Sequence, residues 1–309
     1  MNAVVELPAS AEVKLFGHPR ESQLQIEIDR NFSAYWAFML PRPRPCFNMP
    51  ILAELRGFTE RIKVSANTGD FRPIYGVLAS GTPSIFNLGG DLALFRTLIQ
   101  MQDRESLVNY GKRCVECLLE WHRNCDGLIT SIALVQGEAL GGGFEAALSA
   151  SVLIAEESSR FGFPEILFNL FPGMGAFSFL SRKIGRRQAE ELITSGTIYS
   201  ARQLYDMGVV DVVTPDGTGR AAVEGYIRRH SKNLCGRQGF ERARNEVMPI
   251  TDEELMRVVE IWADTALKLE ERDLRVMDRL IRAQARAAEQ LPSDNVKTIA
   301  PMGIAAGAA

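Results

Sequence analysis

Residues 137–145, GEALGGGFE, decide the fold of this chain and locate its chemistry. They lie between SIALVQG (131–137), whose apolar run predicts a buried strand, and FEAALSA (144–150), which predicts a helix. Three consecutive glycines leave backbone N–H groups uncovered by side chains, and the following helix adds the positive end of its dipole. The loop can therefore hold an anion or the developing charge on a carbonyl oxygen. The alternative is a close helix–strand contact that requires small residues.

The same strand–turn–helix plan recurs on both sides of this segment. IYGVLAS (74–80) predicts a strand, FNLGGD (86–91) a Gly-rich turn, and LALFRTLIQ (92–100) a helix. Downstream, SVLIAEE (151–157) predicts another strand, and a helix follows within FPGMGAFSFLSRKIG (171–185). Recurring units of this kind predict an α/β core wound as a repeat, with function on the loops at one edge. FNLGGD is a second turn of this kind, so we expect it to supply the second amide of a two-donor oxyanion hole.

Composition limits the classes of function. The 309 residues are 46% hydrophobic and 24% charged with a net charge of −3, which argues against a protein that coats nucleic acid or an anionic membrane. No run approaches the roughly 18–20 apolar residues that span a bilayer, and the N-terminal sequence lacks the pattern of a signal peptide. The 5 cysteines are an odd number and too few for a disulfide framework. We therefore expect a cytoplasmic protein with reduced thiols, without nucleic-acid binding or membrane insertion.

The chain divides into four predicted parts. Residues 1–23 read as a flexible leader, 24–215 as the α/β core, 216–290 as a helical C-terminal region for oligomerisation, and 291–309 as a disordered tail. Within the helical region, TDEE at 251–254 predicts a capping box. In that motif Thr251 accepts from a backbone amide and Glu254 reaches back to the cap N–H.

Glu145 and Glu165 are the candidate acid–base residues. Each lies in apolar sequence, GGFEAAL and FGFPEILF, where burial raises a carboxyl pKa and suits it to proton transfer near neutral pH. The helix opened by Glu145 and the strand at 151–157 span similar distances, which brings Glu165 back towards the glycine loop. For either residue alone, the alternative is a carboxylate that caps or begins a helix.

Four motifs together resemble the crotonase (enoyl-CoA hydratase/isomerase) superfamily over about residues 74–215. They are, in order, FNLGGD, ALVQGEALGGGFEAAL, FGFPEILFNLFPGMGA and SGTIYSARQLYDMGVVDVV. The resemblance implies an α/β, crotonase-like spiral of strand–strand–helix repeats with a helical C-terminal region that builds homotrimers or hexamers. It also implies that the backbone amides of Gly90 and Gly142 form the oxyanion hole and that Glu145 and Glu165 are catalytic. We expect no metal and no other cofactor.

A narrower resemblance covers nearly the whole chain. FNLGGDLALF, ALGGGFEAALS, LFPGMGA and the C-terminal pattern EIW-DTAL-L-E--LR-MDRL-RAQ closely resemble the diffusible signal factor synthases. Those bacterial enzymes make cis-2-unsaturated fatty acids for quorum sensing from a 3-hydroxyacyl thioester on acyl carrier protein. CoA-handling crotonases usually carry a basic residue after the loop aspartate, whereas Asp91 is followed here by Leu92, Ala93 and Leu94. The resemblance also implies contact with a sensor kinase.

The two resemblances imply a mechanism. Gly90 and Gly142 polarise the thioester carbonyl, Glu165 removes the α-proton, and Glu145 protonates the departing 3-hydroxyl. A glutamate then activates water to hydrolyse the thioester, and which one does so stays open. One alternative is an enoyl-CoA hydratase or isomerase that retains a CoA thioester. The other is a non-catalytic regulator that binds acyl thioesters, against which the glutamate pair argues.

Three further groups of residues are candidates for a role: large apolar residues, two cysteines and a row of arginines. Large apolar residues beside the glycine loops or on the C-terminal helices are candidates for the acyl pocket, with ordinary core packing as the alternative: Leu140, Met174, Trp262 and Leu280. Cys114 and Cys117 lie mid-helix without a second cysteine pair, so we expect core or surface thiols rather than a metal site. Five arginines at spacings of 3 and 4 predict a stripe on one helix face: Arg272, Arg275, Arg279, Arg282 and Arg286. The stripe is either a solvated or intersubunit face, or a docking surface for an acidic carrier protein.

Overall fold

The computed structural model describes residues 12–14, 22–68 and 71–289. Over these residues the larger sheet has 7 strands in the order β1 (Glu12–Lys14), β2 (Leu24–Asp29), β3 (Ala34–Met39), β4 (Tyr75–Ser80), β6 (Thr130–Val135), β8 (Val152–Glu156) and β11 (Val212–Thr214). The smaller sheet has 4 described strands in the order β10 (Tyr199–Ser200), β9 (Arg160–Gly162), β7 (Glu138–Leu140) and β5 (Ile85–Asn87).

Helices cover both faces of the larger sheet. Those of the core are α1 (Met49–Thr68), α2 (Leu92–Gln100), α3 (Arg104–His122), the single turn α4 (Asn124–Gly127), α5 (Gly142–Ser149), the 3₁₀ turn η1 (Pro164–Phe168), α6 (Ala176–Ile184), α7 (Arg186–Thr194) and α8 (Ala201–Asp206). The C-terminal ones are α9 (Gly219–His230), the 3₁₀ turn η2 (Ser231–Asn233), α10 (Leu234–Val247), α11 (Asp252–Ala266) and α12 (Glu271–Glu289).

The repeat has two strands for each helical segment. Strands β3, β4, β6, β8 and β11 pair in parallel, as expected where helices connect successive strands of one sheet. Each of β4, β6 and β8 is followed by a short strand of the smaller sheet and then by a helix. The structure therefore confirms the predicted α/β spiral of strand–strand–helix repeats with a helical C-terminal region.

The smaller sheet positions the site. Strand β7 pairs in parallel with both β5 and β9, so the three strands end at the same edge. The segments that follow them carry Gly90, Gly142 and Glu165. Gly142 and Glu165 lie 52 and 75 positions after Gly90 in the sequence. Strand pairing, rather than proximity along the chain, therefore brings the three residues together.

Two buried clusters lie on opposite faces of the larger sheet. The larger cluster packs beneath α1, α3, α5 and α11, with Phe58, Leu107, Phe144 and Val259 among its buried members. The smaller cluster contains Trp36 and packs against α9. Among the described helices, none is long and apolar enough to cross a membrane.

Two sequence expectations need correction. Within the predicted leader, Glu12–Lys14 pairs antiparallel with β2, because the edge of β2 offers free backbone groups to a further strand. Thr251 does cap α11 by accepting from the Glu254 amide at 3.1 Å, but the Glu254 carboxylate accepts from Arg182 at 2.8 and 3.0 Å. A charged guanidinium is a stronger partner than a cap amide, so the capping box is incomplete. The predicted tail at 291–309 lies outside the described residues.

Candidate active site

Two backbone amides meet where the glycine loops cross. Gly90 follows β5, and Gly142 is the first residue of α5. A Cβ atom on Gly142 would stand 3.5 Å from the Gly90 nitrogen, which shows how closely the two loops approach. Within the described chain, neither N–H group donates a hydrogen bond to a backbone carbonyl. Two free donors at one point are the arrangement that stabilises an oxyanion.

The loop that carries Gly90 is held from three sides. Phe47 donates its N–H to the Gly89 carbonyl at 2.7 Å, and the Tyr110 hydroxyl accepts from the Asp91 amide at 3.3 Å. Gln284, on α12, donates from Nε2 to the Leu88 carbonyl at 3.0 Å and, at 3.4 Å, to that of Gly90. These bonds hold the loop without using the Gly90 N–H itself.

Glu145 is buried in the first turn of α5, with 1% of its surface exposed. Its Oε1 accepts hydrogen bonds from the amides of Met174 at 2.9 Å and Ala176 at 3.0 Å. Burial raises the pKa of Glu145 to about 7, and the two amide donors oppose that rise because they favour the ionised form. Oε2 accepts no hydrogen bond from a described residue, and the side chain lines the cavity described below.

Glu165 lies in η1, directly after Pro164, which pre-sets the first turn. Part of the side chain is accessible, but Oε2 is enclosed and has no hydrogen-bond partner in the described structure. Burial, and then the negative charge of Glu145, raise the pKa of Glu165 to about 8. An enclosed carboxyl oxygen without a partner is a group that a substrate can satisfy.

An apolar cavity opens from this point into the protein. It is lined by both glutamates, Gly90 and Gly142, and continues between α1 and α3. Tyr110 lies at the oxyanion loop, and Trp121 lies eleven residues further along the same helix, about 16 Å away at 1.5 Å per residue. The cavity is therefore long and narrow, and Phe58 packs against Trp121 at its deep end.

Three polar side chains of the cavity wall donate to carbonyls of their own surroundings. The Thr59 hydroxyl donates to the Arg56 carbonyl, and the Ser149 hydroxyl donates to the Ala146 carbonyl, both at 2.8 Å. Cys117 donates its thiol to the Leu52 carbonyl at 3.4 Å. Because these donors are used, the wall presents an apolar surface, as a hydrocarbon chain requires.

Six of the eight predicted site residues line the cavity, and two do not. Glu145, Glu165, Gly90 and Gly142 all line the cavity, together with Met174 and Trp262. Leu140 is half-buried in β7, and Leu280 packs against the large core cluster from α12; neither lines the cavity. Leu140 and Leu280 differ from the other predicted residues in side-chain direction, because each helix and strand presents only some of its side chains to the cavity.

Most residues of the cavity wall were not among those predicted from the sequence. It comes from α1 and α3, including Leu52, Leu55, Phe58, Leu118 and Trp121. The signal was present, since Leu52, Leu55, Thr59 and Ile62 recur at the spacing of one helix face. Cys114 and Cys117 also line the cavity, and burial raises the pKa of both thiols. No group of three or more potential metal ligands is found in the described residues.

A family model described as enoyl-CoA hydratase/isomerase matches residues 56–290. The chain belongs to this family, the crotonases.

Its curated relatives are mostly longer proteins. The chain is 32% identical over 209 residues to the fatty acid oxidation complex subunit alpha of Idiomarina loihiensis, a match that covers 66% of this chain and 27% of that one. It is 28% identical over 174 residues to a probable enoyl-CoA hydratase of Bacillus subtilis, covering 56% of this chain and 63% of that one.

Solved structures share the fold. An enoyl-CoA hydratase from Bacillus halodurans superposes with a TM-score of 0.69 at 19% identity, covering 85% of this chain and all of that one (100%). DspI of Pseudomonas aeruginosa superposes with a TM-score of 0.63 at 20% identity, covering 86% of this chain and 99% of that one.

Proposed function

We propose that this protein dehydrates a 3-hydroxyacyl thioester and then hydrolyses it, releasing a cis-2-unsaturated fatty acid that serves as a diffusible signal. The acyl group is carried by acyl carrier protein. One observation carries the proposal: two glutamates of raised pKa line a long apolar cavity beside two free backbone amides. The narrower assignment, to signal synthesis, is supported by the motifs that the chain shares with the signal-factor synthases.

Elimination uses both glutamates and both amides. The Gly90 and Gly142 N–H groups donate to the thioester carbonyl oxygen and stabilise the enolate that forms when Glu165 takes the α-proton. Glu145 gives a proton to the 3-hydroxyl, so that the C–O bond breaks, water leaves and the double bond forms. The removal of one oxyanion donor is expected to cost on the order of 10²–10³ in rate.

The protonation of the two glutamates is part of the proposal. Burial raises the pKa of both carboxyls, and each negative charge opposes the other, so near neutral pH the pair holds about one proton. Two amides stabilise the charge of Glu145, which leaves the shared proton on Glu165 in the unliganded protein. Elimination requires the opposite distribution, so the proton must move to Glu145 when the substrate binds.

Hydrolysis uses the protonation state of the unliganded protein, in which Glu145 is ionised and Glu165 is protonated. The ionised Glu145 is the group ready to take a proton from water, whose oxygen then attacks the thioester carbonyl. The oxyanion so formed accepts from the same Gly90 and Gly142 amides. Its collapse breaks the C–S bond and expels the thiolate of the carrier arm, which takes the proton that Glu145 removed from water. We therefore assign the base for hydrolysis to Glu145.

The loop after Gly90 supports a carrier-bound substrate. Asp91 caps α2 by accepting from the Leu94 amide and pairs with Arg44 at 2.6 Å. Arg44 is thus already paired, and the residues after Asp91 are apolar, so this loop offers no free cation to a nucleotide phosphate. Carrier-protein thioesters lack that nucleotide, whereas CoA thioesters contain it.

The cavity also suits a particular chain length. At roughly 1.3 Å of advance for each carbon–carbon bond of about 1.5 Å, the 16 Å between Tyr110 and Trp121 along α3 accommodate about twelve extended carbons. A homotrimer or homohexamer, the usual assembly of this family, is part of the proposal, whereas contact with a sensor kinase stays a prediction.

The test is mass spectrometry of the products from 3-hydroxydodecanoyl carrier protein and from the same acyl group on CoA. We expect free cis-2-dodecenoic acid from the carrier substrate, and its loss in both Glu145→Gln and Glu165→Gln. The exposed Glu157→Gln is the matched control and should behave as the parent protein. No free acid from either thioester would overturn the proposal.

A second candidate is an enoyl-CoA hydratase or isomerase that leaves the thioester intact. The family match and the names of the relatives favour it. In the same experiment it would interconvert hydroxyacyl-CoA and enoyl-CoA without release of acid.

A further inference from the structure

Helix α12 has two opposite faces. Its buried side chains are Asp273, Leu274, Met277 and Gln284. At 100° per residue, the five arginines fall within an arc of about 80°, and the centre of that arc lies about 180° from the centre of the buried face. All five arginine side chains are exposed, and the stripe runs about 21 Å along the helix: Arg272, Arg275, Arg279, Arg282 and Arg286.

The buried face of α12 rests on both catalytic loops. Gln284 donates to the Leu88 carbonyl in the oxyanion loop, and Arg96 of α2 pairs with Asp278 at 2.5 Å. At the other loop, Asn169, which ends the turn that carries Glu165, donates to Asp273 at 3.4 Å. The arginine face therefore lies directly outside the catalytic centre, about one helix diameter, roughly 10–12 Å, further out.

Most arginines of this face have no carboxylate within ion-pair distance among the described residues. Arg272 lies 3.4 and 3.5 Å from the carboxylates of Glu270 and Asp273. Among the described residues, none forms an ion pair with Arg275, Arg279, Arg282 or Arg286. The chain as a whole carries a net charge of −3, so this stripe is a local exception that a negatively charged surface can recognise.

We propose that the arginine face of α12 is the docking surface for the acidic carrier domain that delivers the acyl thioester. The proposal rests on the proposed function. It follows from the combination of charge and position, since the carrier must bind where its flexible arm reaches the amides of Gly90 and Gly142. Complementary charge at that point speeds encounter and raises the local concentration of the substrate.

The test compares two substrates that carry the same acyl group. The variant Arg275→Glu/Arg279→Glu is assayed with 3-hydroxydodecanoyl carrier protein and with the corresponding short pantetheine thioester. The control, Arg187→Glu/Arg229→Glu, makes the same charge change at exposed arginines on α7 and α9. We expect KM for the carrier substrate to rise about tenfold at low ionic strength, with kcat and the pantetheine reaction unchanged. Raising the salt concentration should bring the parent protein towards the variant, because salt screens exposed charges.

Several results would overturn the docking surface. The first is an unchanged KM for the carrier substrate in Arg275→Glu/Arg279→Glu. The second is an equal loss of kcat/KM with the carrier and the pantetheine thioesters. The third is an equal loss of kcat/KM in the control variant. If light scattering shows a different oligomer size for Arg275→Glu/Arg279→Glu, the stripe is an intersubunit face. Arg275→Lys/Arg279→Lys, which keeps the charge, should restore most of the carrier activity. If the parent protein releases no acid from the carrier substrate, the proposed function fails, whereas a docking failure leaves parent turnover intact.

Discussion

Gly141 lies against the carboxylate of Glu165: a Cβ atom at Gly141 would stand 2.4 Å from Glu165 Oε1. The backbone of Gly141 has φ of +52°, in the left-handed region that side chains disfavour. The first glycine of the triplet therefore makes room for one catalytic residue, while the second, Gly142, supplies a free amide. Gly141 is thus required for space and Gly142 for its backbone N–H, although the two residues are adjacent.

Gly141→Ala is expected to reduce kcat by about 10²–10³, because the new methyl displaces Glu165 and strains the loop that carries an oxyanion donor. Free-acid production by mass spectrometry measures the loss. The control is Gly225→Ala on α9, where a Cβ would meet nothing within 4 Å. That variant should be fully active and slightly more stable, by up to about 1 kcal/mol. Full activity in Gly141→Ala would contradict the contact.

The rate of dehydration should follow a bell-shaped pH profile. Because the active pair carries one proton, kcat/KM is expected to peak between about pH 7 and 8 and fall on both sides. Below this range both carboxyls are protonated and no base remains; above it both are ionised and no acid remains. Measurement from pH 5 to 9.5 checks this, and a flat profile over that range would argue against the shared proton.

Glu165 should make the protein less stable as pH rises. Its pKa is raised on folding, so its contribution is fully present below about pH 4.5 and is lost as the pH passes through about 8. Glu165→Gln removes this loss and should raise Tm at pH 9 by about 1–2 °C, the effect of roughly 1 kcal/mol in a chain of this length. At pH 5 the two proteins should melt together. Differential scanning calorimetry decides it, and an equal difference at both pH values would refute the prediction.

Trp121 should limit the length of the acyl chain. Trp121→Phe enlarges the deep end of the cavity and removes a buried indole N–H that has no partner in the described structure. We expect kcat/KM for a fourteen-carbon substrate to rise about tenfold relative to twelve carbons. Leu118→Phe, which fills the same space, should favour shorter chains.

Trp36→Phe is the matched control for Trp121→Phe. Trp36 also has a buried indole N–H without a described partner, but it lies in the cluster on the opposite face of the sheet. Its substitution should leave the preference for chain length unchanged. A shift in both variants would show that the preference does not come from the cavity wall.

Gln284→Met tests how the oxyanion loop is held. The substitution keeps the size of a buried side chain and removes the donor to the Leu88 and Gly90 carbonyls. We expect kcat to fall about tenfold with little change in KM, because a loosened Gly90 amide is felt mainly in the transition state. The exposed Gln188→Met should have no effect. A change in KM alone would assign Gln284 to substrate binding instead.

Local sequence was sufficient for much of this protein. Periodicity placed β4, β6, β8, α2 and α5, because apolar spacing and turn residues act over a few neighbouring positions. The glycine triplet and the two glutamates in apolar sequence also indicated where the chemistry lies. The same local signals did not reveal the partner of Glu254, since the choice between a cap amide and Arg182 depends on a residue 72 positions away.

The sequence by itself therefore determined the repeat, the family and the candidate catalytic residues. The tertiary structure alone decided which apolar residues face the cavity, so that Trp262 lines it and Leu280 does not. It also decided that Gln284 reaches the Gly90 loop from 194 residues away. The placement of Glu145 and Glu165 in one cavity, where the charge of Glu145 helps to raise the pKa of Glu165, is likewise a product of packing. Each of these depends on contacts between distant segments, and hydrophobic pattern along the chain does not encode which faces meet.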